Sequence, residues 1–176
     1  MSVIAGKVYG DKIVIAADSI ICRGWMKQTG YAKLHEVNGM IFGSAGLASE
    51  GSLFYQFLKT HRPATPTEKD VLELIVEFSE WKKKYTSSEM ENSYLLAVDG
   101  HLFYIVYMLV HEVQDYEAVG AGEEYAKAAL YLGHTPKEAV KVACELCCFV
   151  SEPIYEYEMA RTSLSETCSS TRKPTI

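Results

Sequence analysis

Three tight-turn signals, each set between β-rich runs, constrain this chain more than any other feature. Gly10-Asp11, Asn38-Gly39 and Asp99-Gly100 are dipeptides suited to short hairpin turns, because Gly, Asn and Asp tolerate the positive φ that such turns demand. Antiparallel strands are therefore expected at Val3 to Val8 with Lys12 to Ala17, at Lys33 to Val37 with Met40 to Gly43, and at Tyr94 to Val98 with His101 to Tyr107. A further strand is expected over Leu109 to Val113. Residues 154 to 159 alternate apolar and polar, as a half-exposed strand does. Ile13-Val14-Ile15-Ala16-Ala17 is apolar throughout, which fits a strand covered on both faces.

Between these strand groups the apolar spacing becomes helical. Leu53, Phe54, Phe57 and Leu58 define a helix over about Ser49 to His61. Val71, Leu74, Ile75 and Phe78 stripe a second helix that starts near Thr67, with Glu68 and Asp70 in the first turn, where negative charge suits the helix dipole. Two more helices are expected over Glu123 to Leu132 and Pro136 to Val150, the latter with Thr135 as cap and Pro136 at the first position. The order is strands, two helices, strands, two helices, strand. That is an α+β chain with helices covering sheets on both sides. Residues 1–159 read as one domain, and from Ala160 to Ile176 the composition shifts to Ser, Thr and charge, as in a mobile tail.

Composition narrows the function classes. With 17 basic and 23 acidic residues the net charge is −6, which argues against nucleic-acid binding. No apolar run reaches the about 18 residues that span a bilayer, so no membrane association is expected. No basic region precedes an apolar one at the N-terminus, so no signal peptide is expected. Five cysteines, three of them at 144, 147 and 148, do not form a secreted disulfide framework. A reducing, cytoplasmic location is the simpler reading.

The chemistry-bearing candidates cluster in the first third. Removal of Met1 before the small Ser2 would expose an N-terminal serine. Its hydroxyl and free α-amine together make a self-contained nucleophile and base, since an α-amine titrates near about 8. Met-Ser starts are common, so the surrounding spacing carries the argument. Asp18 follows Ser2 by sixteen residues, at the end of the second strand. Lys33 opens the next hairpin, and Gly43-Ser44-Ala45-Gly46 leads from a strand into a helix. A lysine beside an N-terminal amine keeps that amine neutral and basic by like-charge repulsion. An aspartate orients the lysine, and a glycine at a strand-to-helix turn can offer its N–H to an oxyanion. Taken singly, Asp18 could simply end a strand and Lys33 could be an exposed lysine.

These stretches, with Val119-Gly120-Ala121-Gly122-Glu123-Glu124-Tyr125-Ala126-Lys127-Ala128-Ala129, resemble the proteasome β-type N-terminal-nucleophile hydrolases, and among them the bacterial HslV peptidases. The resemblance covers about residues 2 to 155. It implies a four-layer α-β-β-α sandwich and assembly into a homo-oligomeric ring enclosing a chamber. It implies cleavage of proteins or peptides in partnership with an AAA+ unfoldase ATPase. Ser2 then stands where the family carries a nucleophilic threonine. Asp18 and Lys33 are its partners, Gly46 supplies the oxyanion N–H, and no metal or organic cofactor is required. Three departures stand out: serine replaces threonine, Ala121 stands where the family block usually has a serine, and the connection between residues 104 and 116 is reworked. A ring-forming subunit without activity and an amidase acting on a small molecule are the alternatives.

The remaining candidates have plainer readings. Cys144, Cys147 and Cys148 share one face of the expected last helix as buried structural thiols. The five histidines show no Ser-His-Asp or HExxH arrangement. Trp81-Lys82-Lys83-Lys84 is a basic run at a helix end, where it suits the dipole or docks a partner. The twelve tyrosines are expected on strand faces and at subunit contacts.

Overall fold

A computed structural model describes residues 1–161. In chain order the elements are β1 (Ile4–Val8), β2 (Lys12–Ala17), β3 (Ile21–Arg23), β4 (Met26–Gln28), β5 (Leu34–Val37), β6 (Met40–Ala45), α1 (Ala48–Leu58) and α2 (Glu68–Lys82). There follow β7 (Ser93–Val98), β8 (His101–Val106), β9 (Leu109–Val113), β10 (Tyr116–Val119), α3 (Glu123–Tyr131), α4 (Pro136–Leu146) and β11 (Tyr155–Ala160). Two antiparallel sheets result, with strand orders β10-β1-β2-β11 and β5-β6-β7-β8-β9, beside a two-stranded ribbon of β3 and β4.

The layers follow from which faces are apolar. Alternate residues of β1 and β2, such as Ile4, Ile13 and Ile15, meet Leu34, Ile41, Leu95 and Leu102 of the other sheet in one cluster between the sheets. The opposite face of the first sheet packs Ala5 and Ala16 against Ala126, Leu130, Val140 and Ala143 of α3 and α4. The opposite face of the second sheet packs Phe42, Tyr94 and Phe103 against Phe54, Phe57 and Phe78 of α1 and α2. Each fully buried large side chain of this kind contributes about 1.5–3 kcal/mol. The result is the expected four-layer α-β-β-α sandwich, and β2, covered on both faces, is the uniformly apolar run. Gly43 lets the sheets approach: a Cβ there would lie 2.7 Å from Ile4 Cγ2 and 2.9 Å from Leu34 Cδ2.

Two of the three turn signals and the caps act as their chemistry requires, while Gly10 and Asp11 join β1 to β2 without a positive φ. Asn38 and Gly39 have φ of 51° and 73°, and Asp99 and Gly100 have 48° and 80°, so both central residues of each turn are left-handed. The Thr67 side chain accepts from Asp70 N at the start of α2. Thr135 and Glu138 form a reciprocal capping box on α4.

Several expectations need correction. β3 and β4 lie in a stretch given no element, because they form an exposed ribbon without a buried face. β10 was likewise not foreseen, since its four residues pair with β1 only through tertiary contact. α4 ends at Leu146 rather than Val150, so Cys147 and Cys148 are not on the helix; Cys147 is buried, Cys144 is half-buried and Cys148 is exposed. Ala160 belongs to β11, paired with Lys12, and Arg161 N donates to Asp11 O. The rest of the expected tail, residues 162–176, lies outside the described residues.

The basic run is corrected most sharply. Lys82 is 1% exposed and its Nζ lies 2.7 Å from Glu50 Oε2, joining α2 to α1. Burial alone would raise the Glu50 carboxyl, but hydrogen bonds from Lys82, Asn92, Tyr94 and Glu91 bring it below the ordinary value. A carboxyl whose folded pKa is depressed stabilises fully above its unfolded value and loses that contribution as pH falls through the folded one. The stability gap between wild type and Glu50→Gln is therefore expected to be widest near neutral pH. It should narrow once the pH drops below about 4.5, the ordinary carboxyl value. Urea titrations of both proteins from pH 7 to pH 3 measure it; a pH-independent gap would contradict the assignment.

Candidate active site

Strand register places Asp18 beside Ser2. In the β1–β2 hairpin Ile4 faces Ala17, so the next residues outward, Val3 and Asp18, face each other. Asp18 N donates to Val3 O at 3.2 Å, and Val3 N donates to Asp18 Oδ1 at 2.8 Å. The second sheet delivers the other groups. Leu34 faces Gly43 in the β5–β6 hairpin, and one step outward Ser44 N donates to Lys33 O. Lys33 thus sits at the strand end that faces Asp18, and β6 ends at Ala45, one residue before Gly46.

The central pair is a forked one. Lys33 Nζ lies 2.7 Å from Asp18 Oδ1 and 2.8 Å from Oδ2, with both side chains buried. Asp18 also accepts from the backbone N–H groups of Val3 and Ile20. A buried carboxylate with this many donors stays oriented, and losing one partner of such a pair is expensive. Burial lowers the Lys33 pKa, and the neighbouring Asp18 carboxylate opposes that shift. The remaining Lys33 contact is with Met1 O, at 3.1 Å. Ser2 Oγ donates to the same oxygen at 2.6 Å. Lysine, serine hydroxyl and the Met1–Ser2 peptide therefore converge at one point.

A cavity of about 300 Å³ opens there, lined by Met1, Ser2, Lys33, Ser44, Gly46 and Leu47, with Ile20 to Cys22 and Tyr31 on the other side. Gly46 has φ +138°, a backbone conformation that favours glycine. Its N–H donates to no acceptor among the described residues. Gly122 N donates to Ser2 O at 3.2 Å, so the 119–122 block packs on the Ser2 backbone. Ala121 is exposed and brings no hydroxyl to the cavity.

Of the four residues singled out from the sequence, Ser2, Lys33 and Gly46 line one cavity, and Asp18 lies fully buried, paired with Lys33. Others were missed. Ser44 lines the cavity, although the sequence marked only the glycines of its motif. Ile21, Cys22 and Tyr31 arrive through the unforeseen ribbon. Asn92, whose side chain bonds Leu47 N at 2.6 Å and Leu47 O at 2.9 Å, carried no sequence signal because its partners are distant in the chain. Burial pushes the Cys144 thiol up to about 11, so it is a packed thiol rather than a nucleophile at neutral pH. No cluster of three or more His, Cys, Asp or Glu side chains suited to a metal ion occurs among the described residues. No helix among them is long and apolar enough to cross a membrane.

No protein-family model matches this sequence, and no curated protein matches it. Solved structures do. The chain is similar to Thiobacillus denitrificans BPH in complex with epoxomicin, with a TM-score of 0.83 and 16% identity, covering 91% of this chain and 99% of that one. It is similar to Thiobacillus denitrificans BPH in a second structure, with a TM-score of 0.80 and 18% identity over 92% and 99% of the two chains. It is also similar to the eukaryotic HslV from Trypanosoma brucei, with a TM-score of 0.70 and 18% identity over 90% and 99%. Together with the layer order and strand pairing, these likenesses show that the chain has the HslV-like, proteasome-type fold of the N-terminal-nucleophile hydrolases.

Proposed function

We propose that this protein is a proteasome/HslV-like, threonine-type peptidase subunit that uses an N-terminal serine, Ser2, to hydrolyse peptide bonds. The observation that carries the reading is the convergence of the buried Lys33–Asp18 pair and Ser2 Oγ on the Met1 carbonyl. Removal of Met1 turns Ser2 N into a free α-amine beside the Lys33 cation, which favours its neutral, basic form. The amine takes the Ser2 hydroxyl proton as Oγ bonds to the substrate carbonyl carbon. The carbonyl oxygen becomes an oxyanion that accepts from Gly46 N–H. Collapse breaks the peptide C–N bond, the leaving amine takes the proton, and water then hydrolyses the Ser2 ester with the same amine as base. Asp18 holds Lys33 charged and oriented.

The likeness in fold to HslV supports a ring of like subunits fed by an AAA+ unfoldase. Exposed apolar side chains such as Trp25 and Met26 on the β3–β4 ribbon fit subunit contacts. One observation favours the second reading, an inactive ring-forming subunit. Ala121 stands where the resembled family usually has a serine, and it is exposed and brings no hydroxyl to the cavity.

Intact mass and epoxomicin separate the two readings, since the Thiobacillus denitrificans BPH has been solved with that compound. Protein from its native cell is expected to lack Met1, to gain one epoxomicin mass per chain on Ser2, and to release fluorophore from short peptide substrates. Retained Met1 with neither adduct nor hydrolysis would overturn the peptidase reading and leave the ring-forming one.

A further inference from the structure

We infer that Asn92 is a positioning residue for the Gly46 N–H, held in place by the buried Glu50–Lys82 pair. The inference rests on the reading of Gly46 as the oxyanion donor. It concerns how a loop peptide is kept aimed.

The segment between β6 and α1 is only Gly46 and Leu47. The last ladder pair before it is Ala45 with Ser93, and Leu47 is an N-cap without a side-chain cap of its own. Asn92 fills that gap. Its Oδ1 accepts from Leu47 N at 2.6 Å and its Nδ2 donates to Leu47 O at 2.9 Å. One side-chain amide thus brackets both polar groups of Leu47, as a further strand residue would. A Cβ on Gly46 would fall against the Asn92 side chain and lie 3.1 Å from Asn92 Cα, so Gly46 passes directly over Asn92. The peptide that carries the Gly46 N–H is therefore held on one side by the Ala45 pairing and on the other by the Asn92 clamp.

Asn92 is itself 1% exposed and fixed from beneath. Its N–H donates to Glu50 Oε1 at 2.9 Å, and that oxygen also accepts from Tyr94 OH at 2.8 Å. Glu50 Oε2 accepts from Lys82 Nζ, which also donates to Glu89 O at 2.7 Å. Glu50 lies in the first turn of α1, the helix that Leu47 caps. The loop closes on itself: α1 carries Glu50, Glu50 holds Asn92, and Asn92 holds the residue that starts α1. No buried side-chain polar atom among the described residues lacks a partner, so the network is complete. A buried ion pair is weak as a stabiliser in its own right and better suited to specifying one arrangement. Here the arrangement it specifies ends at the peptide that carries the Gly46 N–H.

The test uses full-length protein with Met1 removed, in three forms: wild type, Asn92→Ala and Asn92→Asp. The aspartate keeps an acceptor for Leu47 N–H, replaces the donor to Leu47 O with a second acceptor, and adds a buried charge beside Glu50. Two readouts are taken: peptide hydrolysis, resolved into kcat and KM, and hydrogen exchange of the 46–50 segment by mass spectrometry. Losing an oxyanion donor outright costs about 10²–10³ in kcat, and misplacing a positioned group costs up to about 10²-fold. Asn92→Ala is expected to lower kcat by about 10–10²-fold. KM should stay within about twofold, because substrate binding does not use this clamp. Asn92→Asp is expected to lower kcat at least as far as Asn92→Ala, because its second oxygen faces Leu47 O, and exchange of the segment should rise in both variants. A general loosening of the fold would instead move KM and exchange throughout the chain. Should Asn92→Ala not fold, Asn92→Asp against wild type decides alone.

Unchanged kcat in a folded variant whose 46–50 exchange has risen overturns the inference while leaving the peptidase reading intact. Unchanged exchange overturns the clamp itself. Absence of hydrolysis in wild type overturns the peptidase reading, and with it the positioning role.

Discussion

Ser2→Ala is expected to abolish peptide hydrolysis while leaving the fold untouched. Among the described residues the Ser2 hydroxyl bonds only the Met1 carbonyl oxygen, so although Ser2 is buried its removal should cost no more than about 1.5 kcal/mol, the worth of one hydrogen bond. Catalysis has no substitute for it. No other side chain on the cavity pairs a hydroxyl with an amine on the same residue, and loss of the attacking group should lower kcat by at least about 10³-fold. Peptide-release assays beside urea midpoints on the processed protein test both halves of the expectation. A variant that still cleaves at a tenth of the wild-type rate would mean that the reaction runs through another group, with Ser44 the first to examine, since it lines the same cavity.

Asp18→Asn should damage both stability and turnover. The carboxylate accepts from Lys33 Nζ through both oxygens, from Val3 N through one and from Ile20 N through the other. An amide of the same shape must present an NH₂ to one of those donors, either Ile20 N or Val3 N, as well as to Lys33. It also leaves the Lys33 charge buried without a counter-ion. Breaking a buried pair from one side costs about 3–5 kcal/mol. Lys33 would then lose its proton more readily than in wild type, because burial already lowers its pKa and the opposing carboxylate is gone. A neutral lysine no longer repels a proton from the Ser2 amine, so kcat should fall by about 10²–10⁴-fold, the range associated with acid–base groups. Urea unfolding and kcat on the same preparation check the prediction. A fully stable variant would show that the pair is not the structural joint between the two sheets that its geometry describes.

The two substitutions separate what the cavity does from what holds it together. In the proposed reading Ser2 carries chemistry alone. Asp18 sits where the β1–β2 hairpin ends, and Lys33 where the β5–β6 hairpin begins. Their ion pair links the two sheets at the rim of the cavity, so function and stability meet in the same atoms.

Much of the architecture could be read from the chain because its signals are local. Hairpin turns with Asn-Gly and Asp-Gly specify their own register. Apolar stripes and caps mark α2 and α4 within a few residues. The elements that were missed have no local signature. The β3–β4 ribbon has no buried face, and β10 is a strand because β1 offers it an edge. Lys82 was misread for a related reason. In a run of three lysines nothing distinguishes the one whose Nζ lies against Glu50 of another helix.

By itself the sequence determined the alternation of strands and helices, the hairpin registers, and the presence of Ser2, Asp18, Lys33 and Gly46 at the ends of strands. These follow from side-chain volume, turn stereochemistry and periodicity, which act over a few residues. Only the tertiary structure decided that the strand ends meet, that Lys33 lies between both Asp18 oxygens, and that Asn92 brackets Leu47 behind Gly46. Such contacts join residues from separate sheets and helices. They form only after the apolar faces of the two sheets have been pressed together, so no short stretch of chain carries them in advance.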